Sequence, residues 1–317
     1  MKKLTALVLC IVMVFALAAC GGGGEKTALS FGTGGDQGTY YGFGSVLSQY
    51  VSANTDVSVT AVTSGGSQAN IEDLTAGNVQ LGFVQSDVMS YAFNGTNLFE
   101  EPVTGFSVVA ALYMEQVQII TLNPEIVSVS DLVGKTVSVG AAGSGVYYNA
   151  LDILGAYDIT LDDITPVYQN FGDSAESLQD GKIDAAFIVA GAPTTAVSSL
   201  AATSSVYLVS IDDEHVAALI EKSPYYSAYT IAADVYGTPE DVSTVAIGAV
   251  IIADDKVSED AIYAFVSSIF ENQKTIAESH AKGNEMSLEF ATSITDVPYH
   301  PGAAKYFAEK EITVPVK

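Results

Sequence analysis

Apolar positions along the chain follow two rhythms, one of short alternating runs and one of longer stripes. Phe43, Val46, Leu47, Tyr50 and Val51 stand at i, i+3, i+4, i+7 and i+8, which predicts an amphipathic helix. Residues 57–62 alternate as a half-buried strand and lead into a helix carrying Ile71 and Leu74. Residues 81–84 form a short buried strand that delivers Gln85, Ser86 and Asp87 to its C-terminal end, where open α/β sheets place their ligands. Asn94-Gly95 marks a turn, and two apolar strands, 106–112 and 117–122, run toward the middle of the chain. A second series then opens with a capped turn over 130–135, a strand over 136–139 and another over 185–189. Pro193 is placed as the first residue of a helix reaching Ala202. Residues 245–253 are apolar throughout and too short to span a membrane, so they predict a buried strand. Ile262, Phe265, Val266, Ile269, Phe270 and Ile276 make a helix that returns to the first series, and 303–310 make a closing one.

The stretch 30–42, SFGTGGDQGTYYG, sits between the first strand and the first helix. Gly32, Gly34, Gly35 and Gly38 leave bare main-chain N–H groups at the positive end of that helix, an arrangement suited to an anion. A dinucleotide fingerprint would need glycine at 37, which is Gln37, and a P-loop would need Gly-Lys-Ser/Thr at its end. The GKT at 134–136 has Val129 where the first glycine of a P-loop belongs. A tight turn without a ligand is the plain alternative. Against it stands an internal echo: GTGGDQGTYYG (32–42) resembles GAAGSGVYYN (140–149), and LTAGNVQLGFV (74–84) resembles LQDGKIDAAFI (178–188) at nearly the same offset. Two related halves, each with a glycine loop, predict a cleft between them as the ligand site.

Lys2 and Lys3 precede an apolar run over 4–19 that ends Leu17-Ala18-Ala19-Cys20, a secretory leader over 1–19 with small residues before the cut. LAAC resembles a bacterial lipobox, which implies lipidation of Cys20; ordinary cleavage beside an incidental cysteine is the alternative. Residues 20–27 then read as a flexible tether. Cys10 leaves with the leader, so the mature chain has no free thiol for a disulfide, a zinc site or a nucleophile, and nothing calls for a metal or a cofactor.

The 317 residues, 49% hydrophobic and 15% charged, are ample for two lobes of about 150 residues each. A net charge of −25 disfavours nucleic acid and anionic lipid surfaces, leaving the anchor as the route to a membrane. The chain contains no arginine, so a bound anion must be held by backbone N–H groups, hydroxyls or a lysine.

Gly65-Gly66-Ser67-Gln68-Ala69 has some likeness to a nucleophile elbow, which would make Ser67 catalytic. A hydrolase would need a histidine partner. His215 lies in an acidic helical run and His300 in a proline-flanked turn, and both are expected at the surface. Asp87 has two readings, partner of a ligand ammonium group or cap of the helix starting at Val88. Pro224-Tyr225-Tyr226 offers aromatic surface to a ligand or to the core.

Together GTGGDQGTYY, TSGGSQANIEDL, FVQSDVMSYAFNG, DLVGKTVSVGAAGSG, DGKIDAAFIVAGAPT and YHPGAAKYF resemble the TAXI-type solute receptors of TRAP transporters over most of the mature chain. The resemblance implies an α/β protein of the type II periplasmic-binding-protein fold, two lobes joined by crossing strands and closing over a small solute. Lobe 1 would be 28–115 with 254–317, and lobe 2 would be 116–253. It implies a non-enzymatic, monomeric, lipid-anchored receptor on the outer face of the cell membrane. Such a receptor hands glutamate or a related small carboxylate to TRAP membrane subunits, separate or fused; an ABC importer is the alternative. Carried over by position, the ligand-facing residues are Gly35, Thr39 and Tyr40, then Ser64 and Ser67, then Gln85, Ser86 and Asp87. From the other lobe come Ser144, Gly145, Asn170, Gly191 and Tyr225. The departure from the family pattern is Ala142, where members often carry proline.

Overall fold

The computed structural model describes residues 26–97 and 99–317. The expected leader, the lipidation site Cys20 and the glycines of the tether lie outside the described residues.

The first apolar series forms strand β1 (Thr27–Gly32), helix α1 (Thr39–Asn54), β2 (Val57–Val62), α2 (Ser67–Thr75), β3 (Leu81–Gln85) and α3 (Ser86–Asn94). β1 lies between β2 and β3 with both pairings parallel, and α1 buries Phe43, Leu47 and Val51. The helix α3 ends where Gly95 takes φ 65°, a left-handed conformation that a Cβ disfavours.

The chain then enters β4 (Phe106–Thr121), which passes from one half of the molecule to the other. Sequence patterning read this stretch as two strands. It is one, because the polar residues Glu115 and Gln116 in its middle keep pairing in the ladder, opposite Ile247 and Ala246.

The second series is β5 (Thr136–Ser138), α4 (Gly145–Ala156), β6 (Thr165–Val167), α5 (Phe171–Gln179), β7 (Ala185–Ala190) and α6 (Thr195–Ala201). β5 again lies between two parallel neighbours, β6 and β7. The helix α6 starts at Thr195 with Thr194 as its cap, so Pro193, which follows a cis peptide, stands before the helix and not at its first position. After β8 (Tyr207–Val209), α7 (Asp213–Lys222) and β9 (Ser227–Ile231), strand β10 (Val242–Asp254) crosses back, antiparallel to β4. The predicted returning helix is two, α8 (Glu259–Glu271) and α9 (Gln273–Ser279), broken at Asn272. The short α10 (Leu288–Ala291) and α11 (Pro301–Glu309) close the chain.

The sheet order is β2-β1-β3-β10-β4-β7-β5-β6, with β8 against β4 and β9 against β10. Read from either end, the order is the same once β1, β2 and β3 are exchanged for β5, β6 and β7. The echo in the sequence is therefore an echo in topology, with the two crossing strands at its centre. The apolar core divides along the same line. One cluster holds Phe31, Phe83 and Tyr113 and resumes with Val250, Phe265 and Phe307, while another holds Val117, Val137, Ile153, Phe187 and Ile247.

Candidate functional site

Three helices begin on one cleft between the halves. Their caps are Gly38 for α1, Gly66 for α2 and Ser144 for α4, and in none of the three does a cap side chain accept from a helix N–H. Ser144 turns its hydroxyl to Ala141 O at 2.7 Å instead. The first N–H groups of a helix have no partner inside it, so three positive helix ends face the same space. By contrast α5 is capped, because the Asn170 side chain accepts from Asp173 N at 2.9 Å. The rims touch directly: Ala69 N donates to Gly143 O at 3.1 Å, and Tyr148 Oη donates to Gln68 Oε1 at 2.9 Å.

The cleft encloses a cavity of about 70 Å³, open at its mouth. Of the residues expected to face a ligand, Gly35, Thr39, Tyr40, Ser64 and Ser67 line it from one half together with Gln85. Ser144, Gly145 and Asn170 line it from the other. The rest lie elsewhere. Gly191 sits beside the cleft, where its carbonyl accepts from Thr39 Oγ1 at 2.8 Å and its Cα is covered by the Lys282 side chain. Ser86 and Tyr225 line a separate cavity with Gly248 and Phe290. Tyr225 Oη there is within hydrogen-bond reach of Ser90 Oγ and of Asp296 Oδ2, the latter at 3.0 Å. Asp87 lines neither space: it is fully buried, accepting from Val88 N at 2.6 Å and from Asn149 Nδ2 at 3.0 Å. Burial first, and the Asp152 carboxylate second, push its carboxyl up to about 7.

Sequence reasoning missed the floor of the cleft. Glu115 lies there on β4, 2% exposed, and accepts from Tyr40 Oη at 2.7 Å. Tyr40 is held flat against Phe83, ring centroids 4.7 Å apart. Burial pushes the Glu115 carboxyl up to about 8, with the Asp87 charge adding to the rise; the Tyr40 hydrogen bond and the Lys282 charge oppose it. Lys282 is itself 3% exposed and pairs with Glu285 at 2.6 Å. The one trace of Glu115 in the sequence is the polar interruption, Glu115-Gln116, of an otherwise apolar stretch. Gln85 donates through Nε2 to Asn149 Oδ1 at 2.9 Å, but its Oε1 is buried without a hydrogen-bond partner.

The geometry a hydrolase would need is not formed among the described residues. Ser67 Oγ accepts from Gln85 N at 3.0 Å, and no histidine lines the cleft. His215 stacks on Tyr157 and bonds Asp212, its helix cap. His300, expected at the surface, is 1% exposed, because its ring caps α11 through Gly302 N at 3.2 Å and meets Val257 O at 3.1 Å. Among the described residues no group of three or more His, Cys, Asp or Glu is placed to hold a metal ion, and no helix is long and apolar enough to cross a membrane.

A sequence model of the NMT1-like family matches residues 31–310. Among solved structures, the chain is similar to one described as a periplasmic transporter, at 15% identity over 90% of this chain and 92% of that one, with a TM-score of 0.55. It is similar to the alkanesulfonate-binding protein of Xanthomonas axonopodis pv. citri bound to MOPS, at 14% identity over 90% and 92% with a TM-score of 0.51. A third is a putative L-cystine ABC transporter from Listeria monocytogenes, at 16% identity over 82% and 98% with a TM-score of 0.50. These likenesses bear on the fold, and the architecture is the type II periplasmic-binding-protein fold expected from the sequence.

Proposed function

The chain belongs to the NMT1-like family, and from that premise we propose that it is an extracytoplasmic solute-binding receptor that captures a small carboxylate between its halves and presents it to a membrane permease. The observation that carries this reading is the convergence of three helix N-termini without side-chain caps on one cleft, in a chain with no arginine. Each such terminus contributes on the order of 0.3–1 kcal/mol to anion binding, rising toward ~2 where partly buried. Together they replace the guanidinium that usually grips a carboxylate. The lobes of this reading are 28–115 with 254–317 and 116–253, and the molecule acts as a monomer tethered through lipidated Cys20. The resemblance to TAXI-type receptors favours a TRAP permease and glutamate or a related acid. An ABC importer is the second reading, favoured by the fold likeness to the Listeria protein.

A thermal-shift screen of the purified protein against amino acids, dicarboxylates, keto acids and sugars tests it, since a ligand bound by the folded state raises the midpoint by mass action. A small acid is expected to raise the midpoint, and Gly35→Val to abolish that shift. Gly35 suits the purpose because a Cβ there would meet only Asn170 Cβ, at 3.8 Å, so a side chain would enter the cleft without disturbing the core. A shift with a sugar and none with any acid would sink the anion-capture mechanism.

A further inference from the structure

The cavity beside Ser86 and Tyr225 is separate from the cleft. Met114 lines it, while Glu115, the next residue of β4, lines the cleft. Successive side chains of a strand point to opposite faces, so β4 stands between the two spaces. The cavity measures about 390 Å³, within the range of small-molecule sites. Both halves wall it: Phe290, Ile294 and Asp296 come from the segment after α9, and Tyr225 from the loop after α7.

Its floor on β10 is left open by a glycine. Gly248 interrupts the apolar run 245–253, and neither conformation nor crowding calls for it. Its φ lies outside the left-handed region, and a Cβ there would meet Ser86 Oγ at 3.4 Å and Phe290 Cζ at 3.5 Å, which is ordinary contact. A glycine inside a strand, free of both demands, leaves room for another molecule to approach the main chain. Asp296 is the one charged residue of the lining among the described residues. Ser90 Oγ and Tyr225 Oη both reach its Oδ2, which leaves Oδ1 to a further donor. Around it stand the rings of Tyr225 and Phe290 and the thioether of Met114. A carboxylate beside aromatic faces attracts an organic cation twice over, by its charge and by the ring quadrupoles. The net charge of −25 draws cations to the surface as a whole.

We propose that this cavity is a second ligand site, which takes a small organic cation: a primary ammonium group at Asp296 Oδ1, and an apolar body over Tyr225, Phe290 and Met114 reaching toward Gly248. It is independent of what the cleft binds. Asp296 is exposed, so its pair with the ammonium group discriminates only modestly, and the apolar body supplies most of the affinity. An anion of the same shape meets the carboxylate and is repelled.

The experiment is calorimetric titration of the purified protein at neutral pH with phenethylamine, 2-phenylethanol and phenylacetate, which share one apolar body and differ in the charge of the head. Phenethylamine is expected to bind one site with a dissociation constant on the order of 1 mM or below. The alcohol is expected to bind about threefold more weakly, and phenylacetate more weakly still at this site. Asp296→Asn should erase the preference for the amine over the alcohol. Gly248→Val should abolish binding of both, since its side chain fills the floor. Gly35→Val, which enters the cleft on the other face of β4, should leave the amine's affinity unchanged. No binding of phenethylamine, equal affinity for amine and alcohol in the wild type, or loss of amine binding in Gly35→Val each overturns the proposal, and none of the three bears on acid capture in the cleft. If Gly248→Val does not fold, Asp296→Asn, a change at an exposed position, and the matched heads on the wild type still decide.

Discussion

Asp87 is a carboxyl with no exposed surface, held by one backbone N–H and one amide. Its value rises from an ordinary 3.8 to about 7. A carboxyl raised on folding binds more protons in the native state than in the unfolded one. Its destabilising effect is therefore absent below the unfolded value and grows as pH climbs to the folded value. Between pH 4 and 7 this single residue is expected to remove up to about 4 kcal/mol of stability, an upper bound from the size of the shift. Asp212, lowered to about 2 by its bonds to His215 and Tyr157, acts in the opposite sense but only below its ordinary value, so the windows do not overlap. Urea denaturation of wild type and Asp87→Asn across pH 4.5 to 8 checks this: the wild-type midpoint should fall with pH, and the variant's slope should be clearly shallower. Equal slopes would remove Asp87 as the cause. Sequence logic placed Asp87 correctly at the end of β3 but not its direction. Gln85 ends the strand, whereas Ser86 and Asp87 belong to α3, where successive side chains turn by about 100°. Gln85 accordingly faces the cleft, Ser86 the second cavity and Asp87 the interior.

At the scale of elements, α4 meets the end of β3 so closely that its first residue must be glycine. A Cβ on Gly145 would collide with Gln85 Oε1 and come within 2.9 Å of Ser67 Oγ. Gly155, near the other end of the same helix, is exposed and has nothing within 4 Å of a Cβ. Gly145→Ala is expected to cost about 1–3 kcal/mol, as overpacking does. Gly155→Ala should gain about 0.4–1 kcal/mol by restricting the unfolded chain. Paired denaturant titrations read both, and equal effects of the same sign would contradict the close approach. The elements themselves were largely legible because each half repeats strand, glycine loop, helix with clear apolar spacing. β4 was split because Tyr113, Met114, Glu115 and Gln116 break that pattern in mid-strand. Local pattern reads burial against one core, and this strand leaves one core for the other while its polar side chain faces the cleft between them. His300 misled for a related reason: a proline-flanked turn normally lies outside, but Pro301 here starts a helix whose cap is packed against Val257.

For the whole molecule, the two halves are in contact across the cleft, and Asn149 is the knot of that contact. It is fully buried on α4, accepts from Gln85 Nε2 at 2.9 Å, and donates to Asp87 Oδ2 at 3.0 Å and to Tyr226 Oη at 2.8 Å. The first two partners belong to the opposite half. If the halves hinge on β4 and β10, these bonds exist only when the cleft is shut, and water serves Gln85 and Asp87 when it is open. Removing the amide then penalises the closed form alone, since it leaves a buried amide nitrogen and a buried carboxyl oxygen without partners, at a cost on the order of 1–3 kcal/mol. Asn149→Ala is therefore expected to enlarge the radius of gyration of the ligand-free protein in small-angle scattering. It should also weaken ligand binding by roughly tenfold or more, because affinity scales with the population of the binding-competent form. Of the lining residues named here only Gln85 loses a hydrogen bond by this change, and no lining side chain is removed, so lost affinity with an expanded shape points to closure. Lost affinity with an unchanged radius would instead place the role of Asn149 within the site and count against the hinge.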